Sequence, residues 1–163
     1  MITQSELKEI LHYDENTGVF TWLIKPCKNL KIGAIAGTHR PDGYIQIRIK
    51  GKLYLAHRLA WLYVFGEFPK NEVDHFNHIK NDNSINNLRD VSGGVNSQNQ
   101  VKAQKSNKTT GLSGSSFDKR DGVYRASITV NKKYMHIGYF KTAIEAHEAY
   151  LIAKRRLHKG NTL

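Results

Sequence analysis

Residues 73–100, VDHFNHIKNDNSINNLRDVSGGVNSQNQ, constrain the fold more than any other stretch. Their apolar residues, among them Val73, Ile79, Ile85, Leu88, Val91 and Val95, are too sparse to build a core. The segment must lean on other parts of the chain. Its pattern predicts a short β-hairpin running into a helix that closes over it. A first strand ends at Asp74-His75, an Asn-rich loop follows, and Asn87 to Val91 return as the second strand. Gly93-Gly94 then lead into the helix. Asparagine-rich loops often serve only as turns, because asparagine closes Asx-turns and tolerates left-handed backbone. The mostly apolar helix expected at residues 56–65, AHRLAWLYVF, is the natural support for this hairpin.

The polar residues of the hairpin carry a specific chemistry. Asp74 is a hard oxygen ligand, and the side-chain carbonyl of Asn96 is another. Such a pair suits Mg²⁺ or Mn²⁺, which prefer oxygen and keep positions open for water and phosphate. His75 follows Asp74 directly, so in a strand it points to the opposite face. The two can serve one reaction if the chain twists or bulges there and the scissile phosphate lies between them. An imidazole with an ordinary pKa of about 6.5 can take a proton from water near neutral pH. The amide of Asn87 can hold either the loop or the imidazole.

Together these residues resemble the ββα-metal motif of HNH endonucleases, in the variant with asparagine in place of the final histidine. The resemblance spans residues 43–100, and upstream Ala56-His57-Arg58-Leu59-Ala60-Trp61 is similar to the lead-in of phage and intron-encoded members. It implies that His75 is the general base, that Asn87 orients it, and that Asp74 and Asn96 bind the metal. Asp90 departs from the pattern, where the family usually places an apolar or aromatic residue. His57 is expected as a buried, hydrogen-bonded structural histidine rather than a member of the site.

Charge is distributed unevenly. Residues 1–100 hold 12 basic and 10 acidic side chains, whereas residues 101–163 hold 13 basic and 4 acidic. A basic half-chain with no amphipathic anchor points to nucleic acid rather than a membrane surface. Cys27 is the sole cysteine, which excludes an intramolecular disulfide and a Cys-rich structural zinc site. No signal core or transmembrane stretch is visible, so an intracellular, cytoplasmic protein is expected.

In the first half, Thr3 is placed to cap a helix with Glu6 three residues on, and Leu7, Ile10 and Leu11 share its inner face. A turn at residues 14–18 precedes a strand over Val19 to Leu23, and residues 25–42 read as loop. Tyr44 to Ile49 alternate as a half-buried strand, turned by Gly51-Lys52 into Leu53 to Leu55. Residues 101–113 read as a basic linker whose Lys102, Lys105 and Lys108 can follow phosphates.

From residue 114 onward, Tyr124, Ala126 and Ile128 alternate with Arg125, Ser127 and Thr129, and Met135 and Ile137 alternate with Tyr134 and His136. A helix from Thr142 then places Ala143, Ala146, Ala149, Tyr150, Ala153 and Leu157 on one face. The pattern predicts a three-stranded antiparallel sheet backed by one helix. Gly-Tyr-Phe before an Ala-rich helix resembles the Apetala-two DNA-binding domain of plant ethylene-response factors, over residues 111–160. In that family the sheet enters the major groove. The resemblance implies DNA contacts from Ser116, Lys119, Arg125, Ser127, Thr129, Tyr134 and His136. Arg125 is the foremost of these, since arginine can bind guanine bidentately.

The fold class expected is α+β: an HNH nuclease domain over residues 1–100, with its ββα motif at about 72–102, a linker, and a DNA-binding domain over 114–163. The function expected is a site-specific, metal-dependent DNA endonuclease of homing type, encoded by a phage or mobile element. It would act on double-stranded DNA as a monomer that nicks, with a dimer through residues 56–65 as the competing arrangement. The alternative is a sequence-specific DNA-binding regulator built on an inactive nuclease scaffold.

Overall fold

A computed structural model describes residues 1–99, 103, 107–158 and 160. The chain forms two compact units, Met1–Ser92 and Gly93–Leu163. No helix among the described residues is long and apolar enough to cross a membrane.

The first unit opens with helix α1, Gln4–Ile10, closed by the capping box between Thr3 and Glu6. Leu11 leaves the helix and starts strand β1, Leu11–Tyr13, which pairs antiparallel with β2, Phe20–Trp22. The helical spacing of Leu7, Ile10 and Leu11 concealed that switch, because all three side chains still face the core. The loop 25–42 contains a two-residue strand β3, Thr38–His39, paired with β4, Ile45–Ile49, which in turn pairs with β5, Lys52–Leu55. Helix α2, Ala56–Phe65, ends at Gly66 in left-handed conformation (φ 83°), where glycine carries no Cβ penalty. Leu59, Ala60 and Leu62 of α2 share one core with Leu7, Leu11, Phe20, Ile47, Val73 and Leu88. Leu7 and Leu59 are fully buried, and burial of each is worth about 1.5–3 kcal/mol.

The ribbon of β6, Glu72–His75, and β7, Leu88–Val91, sits on that core through Val73 and Leu88. Asp90 finds a use here that its polarity did not suggest. Its two carboxylate oxygens accept the backbone N–H groups of Lys70 and Asn71, at 3.0 Å each. Arg58 of α2 donates to the carbonyls of Pro69 and Asn71. The approach to β6 is thus fixed from both sides.

The second unit contains helix α3, Gly93–Gln98, strands β8, Ser115–Asp118, β9, Val123–Val130, and β10, Lys133–Phe140, and helix α4, Ala143–Leu157. The strands form an antiparallel sheet in the order β10-β9-β8, with α4 packed across all three. Thr142 and Glu145 close a capping box on α4. Ala126, Ile128 and Ala146 are its buried apolar centre. Tyr150 lies so close to Gly114 that a Cβ there would come within 2.0 Å of the ring. Two details differ from expectation. Ile137 is the extra residue of a bulge between His136 and Gly138, which resets the alternation of β10. Leu157 is 40% exposed, and Lys154 is buried instead. Asn107 organises the approach to β8, donating through Nδ2 to Thr110 Oγ1 and to the carbonyls of Leu112 and Ser115.

Candidate active site and nucleic-acid interface

Val73, Asp74 and His75 are buried in succession, so both faces of β6 are covered. The β6–β7 pairing runs through Asp74↔Arg89 and His75↔Leu88 without a bulge. Asp74 and His75 therefore do flank the strand on opposite sides. On one side, Arg89 grips Asp74 Oδ2 through Nε at 2.7 Å and Nη2 at 2.6 Å. The same guanidinium lies 5.4 Å from the centre of the Phe76 ring.

On the other side, His75 enters a cluster of rings. His57, from the first turn of α2, stands perpendicular to it with ring centres 5.2 Å apart. Tyr44 lies 5.2 Å from His57 and 5.8 Å from His75. His57 is buried as expected, but its Nδ1 has no hydrogen-bond partner among the described residues. Burial, with the neighbouring His75 and Arg58, drives its pKa down to about 3. His57 is therefore neutral at any physiological pH. Burial also lowers the His75 pKa, opposed by its hydrogen bond to Asn83 and by the charges of Asp74 and Asp82. His75 Nε2 is 3.3 Å from Asn83 Oδ1, and Asn83 is 1% exposed.

The loop 76–87 is closed by its own side chains. Asn87 Oδ1 accepts from the Asn77 N–H at 2.9 Å, and Asn87 Nδ2 donates to the Asp82 carbonyl at 2.8 Å. Asn87 thus clamps the loop, while Asn83 is the asparagine on the imidazole. Asn77 Nδ2 donates to Asp82 Oδ2, and Ser84 donates to Asp82 Oδ1 through both N–H and hydroxyl. Those bonds hold the Asp82 carboxyl below its ordinary range. Lys80 reaches back to the Asp42 carbonyl at 3.0 Å and covers the Tyr44 ring. Sequence reading missed Asn83, Tyr44 and Arg89. For Asn83 the available signal was its place in an Asn-rich loop, which argued equally for a turn.

Asn96, the other expected metal ligand, lies on α3 in the second unit and is half-buried. Within that unit Gln98 Oε1 accepts the Gly160 N–H. No group of three or more His, Cys, Asp or Glu side chains that could hold a metal ion occurs among the described residues. The expected donors are a carboxylate and an amide oxygen, the chemistry a hard cation prefers.

In the second unit the register sets Arg125 beside Ser116 and Tyr139, Ser127 beside His136, and Thr129 beside Tyr134. These residues share the face opposite Ala126 and Ile128, and so opposite α4. Tyr139 joins this face because of the bulge at Ile137, which simple alternation could not foresee. Tyr134 and Tyr139 are exposed, and the Tyr139 ring packs at 4.5 Å on His136. Arg125 is half-buried, and its Nε has no hydrogen-bond partner among the described residues. Lys119 is exposed between β8 and β9, and Lys108 is exposed beside Asn107. Lys102 and Lys105 lie outside the described residues.

Residues 54–98 match the family model described as HNH endonuclease. The matched segment runs from β5 through α2 and the ribbon to α3, and it includes Asp74, His75, Asn83, Asn87 and Asn96. No curated protein and no solved structure matches the chain. The ribbon with its buried Asp74-His75 pair thus lies inside an HNH endonuclease family domain, which this chain carries at residues 54–98.

Proposed function

We propose that the chain is a metal-dependent DNA endonuclease of homing type that hydrolyses a phosphodiester with His75 as general base. The observation that carries this reading is a buried imidazole at the end of β6, held by Asn83 beside Asp74 within an HNH domain. A water molecule loses a proton to His75, its oxygen bonds to phosphorus, and the bond from phosphorus to the 3′ oxygen breaks. The 3′ oxygen then takes a proton from solvent, leaving a 3′-hydroxyl and a 5′-phosphate. Asp74 would serve as an oxygen donor to Mg²⁺ or Mn²⁺, which would supply positive charge for the phosphoryl and leaving oxygens. Asn87 and Asp82 keep the loop from moving the base.

The test is incubation of the purified protein with supercoiled plasmid, with Mg²⁺ or with a chelator. Cleavage should require the cation. One chain offers one Asp74-His75 pair, so open circles should accumulate before linear DNA. Linear product appearing directly, with a steep dependence on protein concentration, would instead indicate a paired enzyme. Cation-independent inertness with retained DNA binding would favour the regulator on an inactive scaffold.

The second unit is proposed to grip duplex DNA with the sheet face that carries Ser116, Arg125, Ser127, Thr129, Tyr134, His136 and Tyr139, flanked by Lys119. The support is the half-buried Arg125 on that face, whose buried Nε has no hydrogen-bond partner among the described residues, and the basic balance of residues 101–163. Affinity of the full chain should fall with salt, with a log–log slope of roughly −0.9 per phosphate neutralised. Arg125→Ala should weaken binding by about 1–3 kcal/mol and relax base preference at one position. A uniform loss across all sequences, measured by competition binding, would make Arg125 a phosphate contact.

A further inference from the structure

The hydrogen bond between Asn83 and His75 decides which imidazole nitrogen can act. Asn83 Nδ2 donates to the Asn81 carbonyl at 3.4 Å, which turns Oδ1 toward the ring. An amide oxygen only accepts, so His75 Nε2 must carry the proton in that contact. In a neutral ring the lone pair then resides on Nδ1. Asn83 is itself fixed from outside the matched family segment. The Tyr13 hydroxyl donates to the Asn83 carbonyl at 2.6 Å, and the Ile85 N–H donates to the Glu15 carbonyl at 3.0 Å. Gly18 lies against the same backbone, where a Cβ would come within 2.3 Å of the Asn83 carbonyl carbon.

We propose that Asn83 is a positioning residue: it locks His75 in the Nε2–H tautomer, so that Nδ1 is the nitrogen that takes the proton from water. The β1–β2 hairpin holds Asn83 in place to do so. The role of Nδ1 rests on the nuclease reading of His75, whereas the tautomer itself does not. When Nδ1 takes the proton, the Nε2–H···Oδ1 bond becomes charge-assisted and strengthens. The contact is therefore better matched to the ring after proton transfer than before it.

The experiment is a long-range ¹H–¹⁵N correlation spectrum of the full chain in chelator at about pH 8, where ordinary imidazoles are neutral. His75 is assigned by its loss in His75→Ala. Wild type should show one tautomer, with a proton on Nε2 and a lone-pair shift at Nδ1. Asn83→Leu removes the acceptor at similar size and should give a mixture of tautomers. Its cleavage rate should fall at least tenfold, roughly, while the Kd for uncut DNA stays unchanged. Asn83→Asp keeps an acceptor oxygen and should restore the single tautomer. A proton on Nδ1 in wild type would overturn the proposal, whether or not the leucine variant folds. So would a leucine variant that retains the single Nε2–H form. A correct tautomer in a protein that cuts no DNA would overturn the nuclease reading and leave the role of Asn83 in the tautomer intact.

Discussion

His75→Ala should lose at least about 10²-fold in cleavage rate, the usual size of a general-base contribution. DNA affinity should be retained, because phosphate contacts spread over the protein dominate binding. The structure makes this a clean substitution. His75 is buried beside the Tyr44 and His57 rings with Asn83 on its Nε2, so alanine leaves a cavity and an amide oxygen without its donor, but no stranded charge. Asp74 keeps its ion pair with Arg89 on the other side. Single-turnover cleavage and a binding isotherm on the same oligonucleotide separate the two quantities. Undiminished cleavage by the alanine variant would remove His75 from the reaction.

Gly18→Ala should be the most damaging change at a position that carries no functional group. Gly18 has φ +72°, and an added methyl would meet the backbone of Asn83 and Ser84 at 2.3 Å. Backbone cannot rotate away as a side chain can, so either the β1–β2 turn or the loop 76–87 must shift. Strain at positive φ and overpacking together cost about 2–4 kcal/mol. The variant should show a lower urea midpoint and a cleavage rate reduced beyond what that loss explains at 25 °C. A methyl group tolerated with wild-type midpoint and rate would mean that the hairpin and the loop are not in contact in solution.

The two substitutions bracket what could be read in the chain. Asp74, His75 and Asn87 could be singled out through spacing, since a hairpin is local and its residues are neighbours in sequence. The capping box at Thr3, the helix start at Thr142, the alternating strand before α2 and the sheet-plus-helix order of the second unit were legible for the same reason. What stayed hidden depends on distant partners. Gly18 read as a turn glycine, but its conformation matters because Asn83 packs against it. Asp90 read as a departure from pattern until Lys70 and Asn71 turned their amides to it. Tyr44 joined the histidines only once β4 and α2 were assembled. His57 was legible as buried, but the lack of a partner for its Nδ1 among the described residues was not, because alternatives for a ring nitrogen can be judged only in three dimensions.

The bulge at Ile137 has a consequence for how this protein behaves in concentrated solution. β10 is an outer strand of its sheet, and its outer edge could otherwise template a strand from another copy. A straight ladder from Lys133 to Phe140 would invite such growth, the more so beside exposed aromatics such as Tyr134 and Tyr139. The extra residue breaks the edge into two short runs of different twist, neither long enough for a stable foreign partner. The sheet can therefore display an aromatic, cationic surface without polymerising through its edge. Deleting Ile137 would straighten the strand and leave Tyr139 opposite Arg125 on the same face, so edge growth can be tested there with the surface chemistry kept.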